Sequence, residues 1–224
     1  MNNLIGKVTQ GDCLTVMQGM PDKCVDLVLT DPPYGINLKP QRGITESIIN
    51  DTQETAKPLL ISCLKEWDRI LKDNTQLLIF SRWSEYWFIE EIERMFKLKS
   101  CIVWVKNNFG IGYYTRPMHE FIYYCHKGKP PVLKEPISDV MLYNKVNKPT
   151  HSCEKPIKLI NKLLLAFTKE DDLILDTFLG VGTTAVACER LGRRWIGIEQ
   201  EEKYCTIARD RIAKEQNQLK LNLT

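Results

Sequence analysis

A chain of 224 residues, 43% hydrophobic and 26% charged, is ordinary for one globular domain with a layered core. No stretch approaches the roughly 18 uninterrupted apolar residues of a membrane helix, and Met1-Asn2-Asn3-Leu4 lacks the basic and apolar regions of a signal peptide, so a cytoplasmic protein with no membrane partner is expected. The eight cysteines form no C-x-x-C pair, which argues for reduced, mostly buried thiols. The net charge of +3 conceals thirteen Lys or Arg against four Asp or Glu between Lys97 and Lys169, a block that suits either a polyanionic partner or a solvated surface.

In chain order, apolar periodicity predicts a strand at 25–30, a helix at 56–71, a strand at 76–81, a helix at 84–96, strands at 101–105 and 121–125, a helix at 156–167, a strand at 173–176, a helix at 183–191, a strand at 195–199 and a helix at 201–214. Several strand runs are continuously apolar, as in a parallel sheet covered on both faces, and their alternation with helices predicts an open α/β sheet. Residues 36–55 and 127–152 lack periodicity and are expected to be loops, long enough to be functional or mobile.

The strand at 173–176 ends in Asp176 and leads through Thr177-Phe178-Leu179-Gly180-Val181-Gly182 into a helix that begins with Thr183-Thr184. Glycine permits a tight turn and close backbone approach, and the free amides at a helix N-terminus face an anionic or polar group, so the order suits a nucleotide-type cofactor. The next strand ends in Glu199, seventeen residues after Gly182, where an acid can accept hydrogen bonds from ribose hydroxyls. Ala185 stands where a dinucleotide fingerprint has its third glycine, which disfavours an oxidoreductase. The competing reading is a strand-to-helix turn with two convenient glycines and a surface glutamate.

The strand at 25–30 runs directly into Asp31-Pro32-Pro33-Tyr34-Gly35. Two prolines stiffen the turn and remove N–H donors, Asp31 adds an acceptor, and Tyr34 offers a ring on which a base can stack. An exocyclic amine is a poor nucleophile because its lone pair is delocalised. The Asp31 carboxylate and the Pro32 carbonyl can each accept one N–H, orient the nitrogen and stabilise its growing positive charge. The alternative is a plain Pro-Pro turn.

With both motifs placed, the chain resembles the amino-methyltransferases of DNA, in the class whose Asp-Pro-Pro-Tyr motif precedes the cofactor motif, over nearly everything from Val8 to Ile212. The resemblance implies a Rossmann-like methyltransferase fold: a mostly parallel seven-stranded sheet with one antiparallel strand and helices on both faces. It implies S-adenosylmethionine as cofactor, with Asp12 and Cys13 near its adenine, Lys155 near its methionine end, and Asp176, Phe178, Gly180, Gly182, Thr183 and Thr184 in the cofactor loop. Glu199, Gln200 and Asp31 complete that set, and Asp31, Pro32, Pro33 and Tyr34 form the catalytic turn. His119-Glu120-Phe121 with Tyr123-Tyr124 resembles a late strand of the catalytic half. The implied substrate is a flipped-out base in double-stranded DNA, read by a short target-recognition segment at about 127–150. Site specificity is then low, or residues 36–55 and a second subunit of a homodimer contribute. Thr177, Val181 and Ser152 depart from the residues usual in the family. Asp rather than Ser at position 31 points to N6 of adenine; cytosine N4, or a module that binds without turnover, are the alternatives.

Three further features compete for a role. His119, Cys125 and His126 are a weak metal candidate, disfavoured by strand spacing and the lack of a fourth ligand. Residues 107–114, polar and aromatic, suit either a base pocket and DNA contact or a structural loop. Trp83, Tyr86, Trp87 and Phe88 are at helical spacing and read as core or a subunit contact rather than a base platform.

Overall fold

A computed structural model describes residues 1–35, 52–110, 114–133, 136–147 and 154–221. In chain order the elements are β1 (Val8–Gln10), α1 (Cys13–Gln18), β2 (Val25–Thr30), α2 (Gln53–Ile70), β3 (Leu71–Ser81), a 3-10 turn (Trp83–Glu85), α3 (Trp87–Glu93), β4 (Lys97–Val105), β5 (His119–Lys127), β6 (Val140–Leu142), α4 (Ile157–Phe167), β7 (Leu173–Asp176), α5 (Thr183–Arg190), β8 (Arg194–Glu199) and α6 (Glu202–Leu221). They form one sheet in the order β1-β8-β7-β2-β3-β5-β4-β6. Every neighbouring pair is parallel except those of β5, which runs antiparallel to both β3 and β4.

Among the described residues the sheet therefore has the expected single antiparallel strand, with eight strands rather than seven. The additional one, β6, is three residues added to the free edge of β4. So short a segment inside a Pro-, Lys- and Asn-rich stretch carries no periodic signature, and the ladder offered by β4 decides it. The same reason hid β1 and α1. The helix expected at 84–96 is broken, because the Glu85 carboxylate turns back to accept from the Arg82 amide and closes a separate first turn. The helix expected to stop near 214 runs on to Leu221, its last turns polar but free of Gly and Pro. Of the loop expected at 36–55, residues 36–51 lie outside the described residues and 53–55 belong to α2.

Alternate residues of a strand face opposite sides of the sheet. On β2, Val28 enters a core with Trp67, Leu64 and Phe88 beneath α1, α2 and α3, while Leu27 and Leu29 enter a second core with Leu163, Phe167 and Ala187 beneath α4, α5 and α6. Burial on both faces explains why β2 and β7 are continuously apolar. The chain moves from β7 through β8 toward β1 on one side, and from β2 to β3 on the other. The strand order thus reverses between β7 and β2, and the crevice at their carboxyl ends is where an open α/β sheet binds ligands.

Candidate active site

Both motifs lie at that crevice. Thr30 closes β2 and Asp176 closes its neighbour β7. The Thr30 hydroxyl donates to Asp176 Oδ1 at 3.0 Å and lies 3.1 Å from the Thr177 hydroxyl, so the Asp-Pro-Pro-Tyr turn and the cofactor loop share a hydrogen bond at their roots. Beyond Thr30, Asp31 is half-buried, Pro32 is buried and Gly35 has φ +69°, in the left-handed region that favours glycine. The Tyr34 hydroxyl donates to Asp31 Oδ1, and Lys155 Nζ donates to Asp31 Oδ2.

Asp176 is buried and accepts from the Phe178 amide at 3.2 Å as well as from Thr30. Burial pushes its carboxyl up to about 6, against the pull of hydrogen bonds from the Thr184 hydroxyl, the Phe178 amide and the Thr30 hydroxyl. Past it, Gly180 has φ +54°, and a Cβ built there meets nothing within 4 Å, so this backbone faces open space. Its amide donates to Glu199 Oε2 at 2.8 Å, and the Glu201 amide donates to Oε1 at 2.8 Å. Each carboxylate oxygen has a second lone pair, so Glu199 is fixed without losing its capacity to accept from a ligand. Thr183 and Thr184 open α5 and are buried, Phe178 is half-buried, and Gln200 is exposed beside Glu199. An open glycine, a fixed acid on the next strand and a buried carboxylate whose charge is costly without a cation suit a nucleoside-type ligand that carries positive charge.

Other expected residues have different immediate duties. Gly182, with φ +84°, is needed for packing, since a Cβ there would lie 2.9 Å from Ala208 Cβ on α6. Asp12 is exposed and caps α1, accepting from the Thr15 amide and hydroxyl at 2.9 Å. Cys13 is buried with its sulfur 3.8 Å from Cys63, so only its backbone can face a ligand. Of the seven described cysteines, all unpaired by disulfides, five are buried, Cys24 is half-buried and Cys101 is exposed. His119 and His126 sit at opposite ends of β5, roughly 25 Å apart at strand rise, beyond the span of one metal ion. The aromatic cluster divides: Phe88 is core and Trp87 packs on it, while Trp83 and Tyr86 are largely exposed just past the carboxyl end of β3.

The basic block also divides. Because β5 is antiparallel, Lys127 and Lys129 end up with Lys97 and Lys99 at the edge of the sheet opposite Asp31. Lys127 is moreover internal, donating to the backbone carbonyls of Asp68 and Leu71 at the end of α2. Arg116 and Lys145 flank the carboxyl end of β4, on the same edge as Asp31. Lys134, Lys148 and residues 111–113 lie outside the described residues.

Sequence reasoning missed Thr30, Lys106 and Arg211, and it placed Glu120 in a strand of the catalytic half without giving it a duty. Lys155 Nζ lies 3.3 Å from Glu120 Oε2, and Glu120 Oε1 accepts from Lys106. Although burial opposes its charge, the ammonium groups of Lys155 and Lys106 hold the Glu120 carboxyl below the usual range. A glutamate inside an apolar strand was the available signal. Arg211 on α6 donates to the Val181 carbonyl at 2.7 Å and pairs with Glu154 at 2.8 Å, tying the cofactor loop to the residue before Lys155. Nothing in its helical context marks it.

The sequence matches the N6/N4 methyltransferase family of DNA methylases over residues 25–210. It is 32% identical over 212 residues to YubD of Escherichia coli (strain K12), covering 93% of this chain and 91% of that one. It is 27% identical over 255 residues to the type II methyltransferase M.HinfI of Haemophilus influenzae, covering 95% and 69%. The M1.HpyAVI structure in complex with S-adenosylmethionine superimposes with a TM-score of 0.71 at 25% identity, over 92% of this chain and 98% of the other. The fold, the cofactor loop and these matches define an S-adenosylmethionine-dependent DNA methyltransferase. More particularly, this chain belongs to the N6/N4 DNA methylase family.

Proposed function

We propose that the protein methylates N6 of a flipped-out adenine in double-stranded DNA, as a cytoplasmic enzyme. The observation that carries this reading is the Asp31 carboxylate at the carboxyl end of β2, one residue beyond the Thr30 link to the cofactor loop. S-adenosylmethionine supplies the methyl group on a sulfonium centre, which is itself the leaving group. The protein's part is to present an amine. Asp31 and the Pro32 carbonyl each accept one N–H hydrogen bond, turn the lone pair toward the methyl and offset the positive charge that grows on nitrogen, and one N–H proton then leaves the methylated nitrogen by way of the Asp31 carboxylate to solvent. Tyr34 stacks on the extruded base while its hydroxyl steadies Asp31. Asp12, Cys13, Lys155, Phe178, Gly180, Thr183, Thr184, Glu199 and Gln200 surround the cofactor, with Asp176 answering its positive charge. Of the segment at about 127–150 proposed to read the DNA, the part around Lys145 shares an edge with Arg116 and Asp31, and the Lys145 and Arg116 cations meet the phosphates.

Adenine is favoured over cytosine because an aspartate opens the motif, as in the family members that modify adenine. Nucleoside mass spectrometry of DNA methylated in vitro tests the assignment. N6-methyladenine is the expected product. N4-methylcytosine alone transfers the assignment to the chemistry named for the PvuII enzyme, a cytosine-N4-specific methyltransferase of the same fold (TM-score 0.73, 18% identity, covering 94% of this chain and 93% of that one). No methylated base at all leaves a binding module without turnover.

A further inference from the structure

Four charges alternate through the catalytic half: Lys106, Glu120, Lys155 and Asp31. They come from four separated places, the end of β4, the second residue of β5, the approach to α4 and the turn after β2. The side chains of Lys155, Lys106 and Glu120 are 8%, 15% and 16% exposed, so little water reaches any of them. The Lys155 ammonium also lies 5.0 Å from the centre of the Phe80 ring, an apolar support on its third side.

In this arrangement both oxygens of Asp31 carry a hydrogen bond, one from Tyr34 and one from Lys155. The proposed substrate amine has to share one of those oxygens, and an ammonium on the same carboxylate weakens it as an acceptor and repels the positive charge that grows on the amine nitrogen. Lys155 cannot withdraw into water from so buried a position, and a buried ammonium that loses its carboxylate is strongly penalised. Glu120 removes that obstacle, because its Oε2 is 3.3 Å from the same ammonium, a slightly long contact that shortens as Lys155 moves off Asp31. Lys106 pairs with the other oxygen of Glu120 and keeps it charged and in place.

We propose that Glu120 is a positioning residue for methyl transfer: it takes over the Lys155 ammonium when the target amine claims Asp31, with Lys106 as its anchor. Buried ion pairs are a poor source of net stability compared with apolar packing, so stabilisation alone is a weak reason for two lysines and a glutamate here. The inference rests on Asp31 being the acceptor of the amine.

Glu120→Gln keeps the side-chain shape and removes the charge. At saturating cofactor and DNA its kcat should fall on the order of 10- to 100-fold, the range in which supporting partners of a reactive group act. Cofactor affinity by calorimetry should stay at the wild-type value, the melting temperature should fall because the buried Lys106 ammonium loses its carboxylate, and Glu120→Asp should recover part of the rate. A wild-type kcat, or a loss confined to cofactor affinity, overturns the proposal. Should Glu120→Gln fail to fold, Lys106→Met decides: a several-fold lower kcat with cofactor binding retained supports the proposal, and a wild-type kcat refutes it. Failure of the underlying reading looks different, since Asp31→Ala would then turn over normally or the wild-type protein would transfer no methyl group.

Discussion

Asp31 and Asp176 stand at the carboxyl ends of two adjacent parallel strands, yet their surroundings have little in common. Asp176 is buried among hydroxyls and an amide, with a carboxyl that burial pushes up to about 6. Asp31 is half-buried and held by an ammonium and a phenol. Neutral donors, two hydroxyls and one amide, suit a group that only has to meet a fixed cationic ligand. An ammonium shared between two carboxylates suits a group that must exchange partners during the reaction. The cofactor side combines contacts close in sequence, Asp176 to Phe178 and Glu199 to Glu201, with neutral ones across the sheet such as Thr30 to Asp176. The catalytic side draws on four distant segments.

The sharpest test of this contrast is Asp31→Ala, expected to lower kcat by at least about 10²–10³-fold, since it removes an acceptor of charge developing in the transition state. Melting temperature and cofactor affinity should be retained, because Lys155 keeps Glu120 as a partner. Near-normal turnover in single-turnover assays would put the chemistry elsewhere.

On the cofactor side, the two glycines with positive φ should separate. Gly182→Val should cost roughly 2–5 kcal/mol of stability, combining left-handed strain with overpacking against Ala208. Gly180→Ala has strain alone and should cost about 1 kcal/mol while weakening the ligand it faces. Urea unfolding with calorimetry reads both, and equal losses of stability would remove the distinction between a packing glycine and a ligand-facing one.

The raised carboxyl of Asp176 gives a pH dependence whose sign follows from its direction. The folded protein holds this proton more tightly than the unfolded chain. Its stability contribution is thus present below the ordinary carboxylate range and lost as pH rises through about 6. A cationic cofactor favours the charged form, so its affinity should fall as pH drops below about 6, by at most about tenfold per pH unit. Asp176→Asn should flatten that dependence while keeping an oxygen for the Phe178 amide. An unchanged profile would assign the titration to another group.

The smallest expected effect concerns the two edges of the sheet. Neutralising Arg116 and Lys145 together should lower DNA affinity and reduce the slope of log K against log salt by about 2, one phosphate contact for each. Neutralising Lys97 and Lys99, on the opposite edge, should leave the slope unchanged. The reverse result would move the DNA to the far side of the molecule.

Much of this molecule was legible beforehand because its signals are local. Continuous apolar runs announced β2 and β7 to the residue, and the two motifs lie at their ends. The basic block misled where charge was read without direction: β5 runs antiparallel, so Lys127 and Lys129 are carried away from Asp31, and Lys127 is spent on the end of α2. Gly182 and Gly180 look alike in sequence, and only the approach of α6 gives Gly182 a packing duty that Gly180 lacks. By itself the sequence determined the alternating α/β order, the Asp-Pro-Pro-Tyr turn, the glycine loop and its acid, since periodicity and turn chemistry act over a few residues. Only the tertiary structure decided that Lys155 meets Asp31 and links it to Glu120 and Lys106, and that Arg211 ties the loop to Glu154, because side chains up to 124 positions apart become neighbours only when the sheet order is set.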